Sequence, residues 1–389
     1  MSSEIKKKLL VVGFSISMLY ALYFAMPLYL NSSVLSIYFS SSNVSIIFAV
    51  SALVALITSL SLAKFIRKLH SHTFAICVIF VGFFATLGLG YFENIYLIPV
   101  LFALHFSTSI LLLNIINLFI EEFTERDNEG STRGIFLTMI NAGILISPLI
   151  AGQILSAYGY KWVYIASALM LIPVAYLIRH YYANIPDPVY KNVNMSMALD
   201  QVRRNKNLYG IMLATFLLES FFTMMAIYAP LYLMMNTTIT LAQYIGIIIP
   251  FALIPFVLLP YELGYLADKK FGEKEMLITG LVIIIACSLL FPFLMTNSIF
   301  YISIFLFISR IGAAMVETMS HTYFYKKVKV ERVSVITLFN NVRTLAYIIT
   351  PIVGGLIIAL TGNMMYVFVV YAIISSLILI KVSKIKDTL

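Results

Sequence analysis

Charge is what this sequence has least of. Of its 389 residues, 26 are Lys or Arg and 17 are Asp or Glu, 11% in all against 61% hydrophobic, and the mean hydropathy is +0.97. Soluble domains carry charge on about a quarter of their residues, so the solvent of this chain is lipid. Cysteine is nearly absent as well. Cys77 and Cys287 lie in apolar runs at no metal-ligand spacing, which excludes a disulfide framework and a thiolate zinc site and leaves both as small packing residues. The five histidines include no H-E-x-x-H pair, and no G-x-S-x-G elbow occurs, so neither zinc hydrolysis nor serine-based acyl transfer has a constellation to work with. A repeated filter motif of the kind channels carry is also missing. Nothing in the chain calls for a cofactor or a metal, and it does not read as an enzyme.

What is present is a series of apolar runs, each near the roughly 20 residues that cross a bilayer core. Spans are predicted at Leu9–Leu30, Val44–Leu62, Thr73–Tyr91, Tyr96–Ile120, Gly134–Leu155 and Trp162–His180. Six more are predicted at Tyr209–Leu233, Leu241–Leu263, Met276–Met295, Ser298–Met319, Val333–Leu360 and Met364–Ile380. The expected fold class is an all-α membrane protein of twelve transmembrane helices in two pseudo-symmetric six-helix bundles, residues 1–180 and 209–389. Residues 181–208, with Pro186, Pro188 and a charged stretch from Asp200 to Lys206, form the polar linker.

The basic residues orient these spans, because Lys and Arg near helix ends stay in the cytosol. With both termini inside, Lys6–Lys8, Lys64, Arg67, Lys68, Arg126, Arg133, Arg179, Lys191, Arg203, Arg204 and Lys206 all fall on the cytoplasmic side. So do Lys269, Lys270, Lys274, Lys326, Lys327, Lys329, Arg332, Lys381, Lys384 and Lys386, and only Lys161 falls opposite. The net charge of +9 is then topology plus attraction to anionic lipid, and no nucleic-acid partner is expected. The run after Lys6–Lys8 is too long for a secretory signal and no small-residue cleavage pattern follows, so it is read as a first helix.

The second half also repeats the first. Pro27, Leu28, Tyr29 and Leu30 recur as Pro230, Leu231, Tyr232 and Leu233, and Pro148, Gly152 and Gly159 recur as Pro351, Gly355 and Gly362, all displaced by 203 positions. One offset that aligns landmarks near both ends of each half implies duplication, which in membrane proteins is a mark of transporters with a midplane site between the repeats.

Two motifs carry a resemblance. Gly264, Asp268, Lys269, Lys270, Gly272 and Lys274 resemble the G-x-x-x-D-[RK]-x-G-[RK]-[RK] loop of the major facilitator superfamily, with Gly264 expected to permit a tight helix exit. In the first-half copy, Ser61 and Phe65 stand where the second has Gly264 and Asp268. Gly143, Ser147, Pro148, Ala151 and Gly152 resemble the small-residue motif of that superfamily's antiporters, repeated as Pro351, Gly354 and Gly355. Small side chains there let helices approach, and proline bends them. The resemblance implies a monomeric transporter of a drug/proton antiporter type, lodged in the cell membrane, with a small-molecule substrate and protons as partners.

Ionisable residues within the bilayer are expensive and mark function. Glu219, Arg310 and His105 each fall near the middle of a predicted span, and the resemblance implies that their spans, seven, ten and four, line one central cavity with span one. Arg310, in a stretch resembling the superfamily's L-x-x-x-R-x-x-x-G-x-A-A pattern, is expected to pair with Glu219. The pair reads either as a proton-coupling device or as a static lock on helix register. His105 is a third candidate proton site. Glu317 reads as gate or loop chemistry, and Arg343 as a residue that snorkels or meets a loop acid. Tyr20, Tyr23, Met26, Phe222, Met225 and Tyr228 are expected to wall the cavity with soft apolar surface. That composition suits proton-coupled export of small amphipathic or lipophilic compounds. Import of a sugar, peptide or organic anion, and a non-transporting sensor or scaffold, stay open.

Overall fold

Among the described residues of the computed structural model, twelve helices are long and apolar enough to cross a membrane. We label them α1 (Glu4–Ala25), α2 (Ser41–Leu60), α3 (Ser71–Tyr91), α4 (Leu97–Phe123), α5 (Gly134–Tyr158), α6 (Tyr160–Tyr181), α7 (Lys206–Asn236), α8 (Leu241–Pro260), α9 (Gly272–Phe293), α10 (Ile299–Lys327), α11 (Val342–Thr361) and α12 (Met365–Val382). The structure describes residues 3–124, 129–183, 185, 195–267, 272–294, 296–328 and 333–386, and among these no strand occurs.

Two compact units make up the chain, one from Met1–Tyr38 and Val50–Tyr190, the other from Phe39–Ala49 and Lys191–Leu389. In the first, α1 packs on α4, α5 and α6, and α3 packs on α4 and α6. Its core runs through Ile16, Tyr20, Tyr23, Leu112, Ile116, Phe119, Ile178 and Tyr182. Glu93 before α4 and Lys161 at the start of α6 bond at 2.7 Å, and at the other end Tyr182 donates to the Leu9 carbonyl at 2.7 Å. Nearer the start of α6, Ser167 donates to the Tyr23 carbonyl near the end of α1 at 2.7 Å, so α1 and α6 are antiparallel, as an alternating bundle requires. Lys161, the sole basic residue expected in its group of loops, thus has an acid beside it.

In the second unit α7 packs on α10, α11 and α12, while α9 packs on α10 and α12. The apolar window of α7 is 83% buried against 28% in α12, so α7 is an inner helix and α12 a lipid-facing one. The Thr238 amide after α7 donates to Asn297 Oδ1 before α10 at 2.9 Å. At the opposite end Tyr323 donates to the Lys386 carbonyl at 2.6 Å, and the Lys386 amide donates to Asn207 Oδ1 at 3.1 Å.

Proline and glycine account for most departures from the predicted spans. The first span ends at Ala25 rather than Leu30; Pro27 starts a run of turns, and a short helix, Asn31–Tyr38, follows. Its repeat partner Pro230 stays inside α7. In α8 a wide turn at Tyr244–Ile248 precedes Pro250, the local widening by which a helix accommodates a missing donor. Gly264 does not end its helix, which continues to Leu266. The glycine of that motif with a left-handed backbone is Gly272, at φ 76°. Span ten reaches Lys327, well past Met319, and span eleven is interrupted at Asn341, with a separate helix at Val333–Asn340. The repeat survives where backbone geometry demands it: Gly159 between α5 and α6 and Gly362 between α11 and α12 both adopt positive φ, 85° and 68°.

The Glu93–Lys161 pair yields a modest prediction. Its hydrogen bond to Lys161 holds the Glu93 carboxyl below its ordinary value. A depressed carboxyl stabilises the fold above its unfolded pKa and loses that effect as pH falls through the lowered one. Both side chains are exposed and screened, so Lys161→Ala should leave the melting temperature at pH 7 within the scatter of replicate melts. A clear drop at pH 7 that vanishes in acid would show the pair to be stronger than exposure allows.

Candidate functional site

Three ionisable side chains come together in the second unit. Arg343 donates its Nε–H to Glu219 Oε2 at 2.9 Å, joining α11 to α7. Glu317 on α10 lies close enough for its charge to act on both. Their depths agree. Glu219 is about a dozen residues beyond Lys206, Arg343 about ten beyond Val333, and Glu317 about ten before Lys327. Since α10 runs against α7 and α11, all three sit roughly 15–20 Å from one end of the unit at about 1.5 Å per residue.

Arg310 is not the partner of Glu219. It lies two turns along α10 from Glu317, about 10 Å from that depth, and Arg343 takes the carboxylate instead. Arg310 is fully buried, 1% exposed. Its guanidinium carbon lies 5.0 Å from the Phe221 ring centroid and 5.6 Å from that of Phe222. Its Nε and Nη1 have no hydrogen-bond partner among the described residues.

His105 belongs to a separate network in the first unit. Thr86 gives its one hydroxyl proton to the Gly82 carbonyl at 2.7 Å, so the 2.8 Å contact of Thr86 Oγ1 with His105 Nδ1 has the histidine as donor. Tyr23 OH is 3.2 Å from the same nitrogen and 3.0 Å from Ser109 Oγ, and its ring meets the imidazole edge-on. Tyr20 donates to the Ser109 carbonyl at 3.1 Å. The arrangement ties α1, α3 and α4 together through a histidine whose Nδ1 is already engaged. The three residues expected to share a proton path are therefore in three settings: an ion pair, an unpaired cation and a hydrogen-bond hub.

Of the six residues expected to wall a cavity, Tyr20, Tyr23, Met26, Met225 and Tyr228 are at most 2% exposed, and Phe222 alone is half-buried. Tyr228 is within 2.8 Å of Ser45 Oγ at the start of α2 and donates to the Pro351 carbonyl at 3.3 Å. Its ring occupies the space a side chain on Gly354 would need, while Ser45 fills that beside Gly355. In α5 a β-carbon on Gly143 would meet Ala21 Cβ at 2.5 Å and the Met18 carbonyl at 2.8 Å on α1. Pro148 lies inside α5 and Pro351 inside α11, and Gly152 is buried. In the loop motif, nothing among the described residues lies within 4 Å of a β-carbon on Gly264, and Asp268 and Lys269 lie outside the described residues. Just beyond them, Glu273 at the head of α9 is buried and ion-paired with Lys326 at the end of α10. Charge at the ends of spans reads as solvated from sequence, so the pattern of residues gives no sign of this link between neighbouring helices.

The sequence profile of the Major Facilitator Superfamily matches residues 9–261 and, again, 211–386. The chain belongs to the major facilitator superfamily. As a member it is a secondary transporter and not an enzyme. No curated protein matches it by sequence. Solved structures of similar fold include a bacterial homolog of the human lysosomal transporter Spinster, inward-facing and unoccupied, at TM-score 0.76 and 11% identity over 99% of this chain and 98% of that one. The nucleoside transporter NupG is similar at TM-score 0.72 and 13% identity, over 97% of this chain and 98% of that one. An autoinhibited POT family peptide transporter is similar at TM-score 0.75 and 10% identity, over 96% of each. At such identities the likeness is one of superfamily fold.

Proposed function

We propose that this protein is a proton-coupled exporter of small amphipathic compounds, working by alternating access between halves 1–180 and 209–389 joined by the linker 181–208. It would act as a monomer in the cell membrane with both termini in the cytosol, the side to which its basic loops belong. The observation that carries the coupling is the Arg343–Glu219 bond beside Glu317. One guanidinium neutralises one carboxylate, so two acids around one arginine leave one negative charge, and one bound proton makes the cluster neutral. The acids stand on different helices, α7 and α10. Protonating Glu219 removes its charge-assisted bond and hands Arg343 to Glu317; deprotonation returns it. A proton thereby biases two packings of α7, α10 and α11, the bistable element that alternating access needs. The small-residue motif of α5, where Gly143 lets α1 approach, supports export as the direction, and the half-buried Phe222 with its aromatic neighbours suits an amphipathic passenger.

The test is transport of a lipophilic dye by proteoliposomes under an imposed pH gradient. Glu219→Gln should lose gradient-driven accumulation yet keep downhill exchange. His105→Asn should respond to the gradient as wild type does, because Nδ1 of this histidine holds a network and not the coupling proton. Equal accumulation by wild type and Glu219→Gln would reject the coupling role of Glu219.

A further inference from the structure

Arg310 is the buried charge that the coupling cluster does not use. A guanidinium taken out of water is strongly disfavoured unless its charge and its donors are both met. Here the charge is partly met by aromatic rings, since Phe221 and Phe222 lie with their centroids at 5.0 and 5.6 Å, within the range of a cation–π contact. The donors are not. Among the described residues, Nε–H and the two Nη1–H groups have no hydrogen-bond acceptor. The other intramembrane arginine of the unit is committed to Glu219, so the unmet donors of Arg310 are not part of that network.

We propose that Arg310 recognises a carboxylate on the transported compound, and that the substrates are small amphipathic monocarboxylates with one anionic head and an aryl or alkyl tail. This rests on the reading of the chain as a transporter of amphipathic compounds and names their class. Nε and Nη1 each make a two-donor edge of the guanidinium with Nη2, and a carboxylate is the acceptor whose two oxygens match such an edge with parallel bonds. A phosphate would bring further charge to a place with a single uncommitted cation. The tail is received by the same rings that flank the cation. Phe222, the one partly exposed member of the expected cavity wall, has its ring centroid 5.6 Å from the guanidinium carbon, so a turn of its ring would open a way to Arg310.

The test is binding, measured at one pH with no gradient, on the protein in nanodiscs. Octanoate, decanoate, benzoate and indole-3-acetate are each compared with their neutral primary amides by thermal shift. At least one acid should stabilise the wild type where its amide does not. Arg310→Met should weaken that binding roughly 30-fold or more. Arg310→Lys, which keeps the charge and loses the fork, should weaken it about tenfold, and carries the comparison if Arg310→Met fails to fold. The proposal is overturned if no acid is distinguished from its amide by the wild type, or if the preference persists undiminished in the variants. An acid preference together with gradient-insensitive dye transport would remove the coupling reading alone, and gradient-driven transport without an acid preference would remove the carboxylate assignment alone.

Discussion

Arg343→Ala should abolish gradient-driven transport and destabilise the protein by about 2–3 kcal/mol. Removing one partner of a fully buried ion pair typically costs about 3–5 kcal/mol, because the remaining charge is left without compensation. The Glu219 side chain is 11% exposed but that of Arg343 keeps 37%, so part of the pair's strength is already screened and the lower figure applies. The double variant Glu219→Gln/Arg343→Met should recover most of the lost stability, since an apolar or neutral replacement of both charges is often no worse than the pair. It should not recover gradient-driven transport, as no group remains to pass between α7 and α10. Melting in detergent and gradient-driven uptake in liposomes separate the two effects. A single variant that transports as wild type does, or a double variant no more stable than the single, would show that the bond between Arg343 and Glu219 is incidental.

Much of the architecture was legible because lipid imposes a coarse rule: a helix must be long and apolar, and its ends must carry the charge. Most spans therefore lie within a few residues of where that rule puts them. The duplication was legible for a related reason, as Gly159 and Gly362 hold left-handed backbone at equivalent junctions, where other residues are strained. The ion pair was misassigned through span ends. With span ten stopped at Met319, Glu317 looks terminal; with the helix continuing to Lys327, it is deep. Arg343 looks close to a cytoplasmic end, yet its distance from Val333 already places it level with Glu219. That shared depth, not the shared midpoint of two spans, was the signal for a partner. His105 and its network were beyond a one-dimensional reading, because Thr86, Tyr23 and Ser109 come from three helices and carry no spacing in common. The same holds for the burial of Tyr20 and Tyr228, whose hydroxyls look cavity-facing until their acceptors, the Ser109 and Pro351 carbonyls, are seen.

Gly312→Leu should leave no stably folded second unit, and Gly312→Ala should lose about 1–3 kcal/mol, the usual range for overpacking a close contact. A β-carbon on Gly312 would lie 2.8 Å from the Gly280 carbonyl oxygen and 2.8 Å from Ile283 Cβ, and one on Gly280 would lie 2.7 Å from the Gly312 carbonyl oxygen. The contact is reciprocal and against backbone, so no rotamer change relieves it; α9 and α10 must separate. Close glycine-mediated approach is a main source of helix association in lipid, where apolar burial gives no driving force, and the α-hydrogens of such glycines can bond the facing carbonyls. Gly280→Ala should cost a similar amount, and the double variant less than the sum, because one separation accommodates both methyl groups. Gly264→Ala is the contrast. It sits inside a helix with nothing among the described residues within 4 Å of the added carbon, so it should gain up to about 0.5–1 kcal/mol from the better helix former. If Gly312→Ala melts with wild type, the crossing is slack. If it is tight, the substitution should also disturb Arg310, two residues earlier on α10, because the rotation that frees the crossing turns its guanidinium against Phe221 and Phe222. Gly312→Ala should then weaken any acid-selective binding along with stability, and Gly280→Ala, which parts the same crossing from α9 without altering α10, should weaken it less.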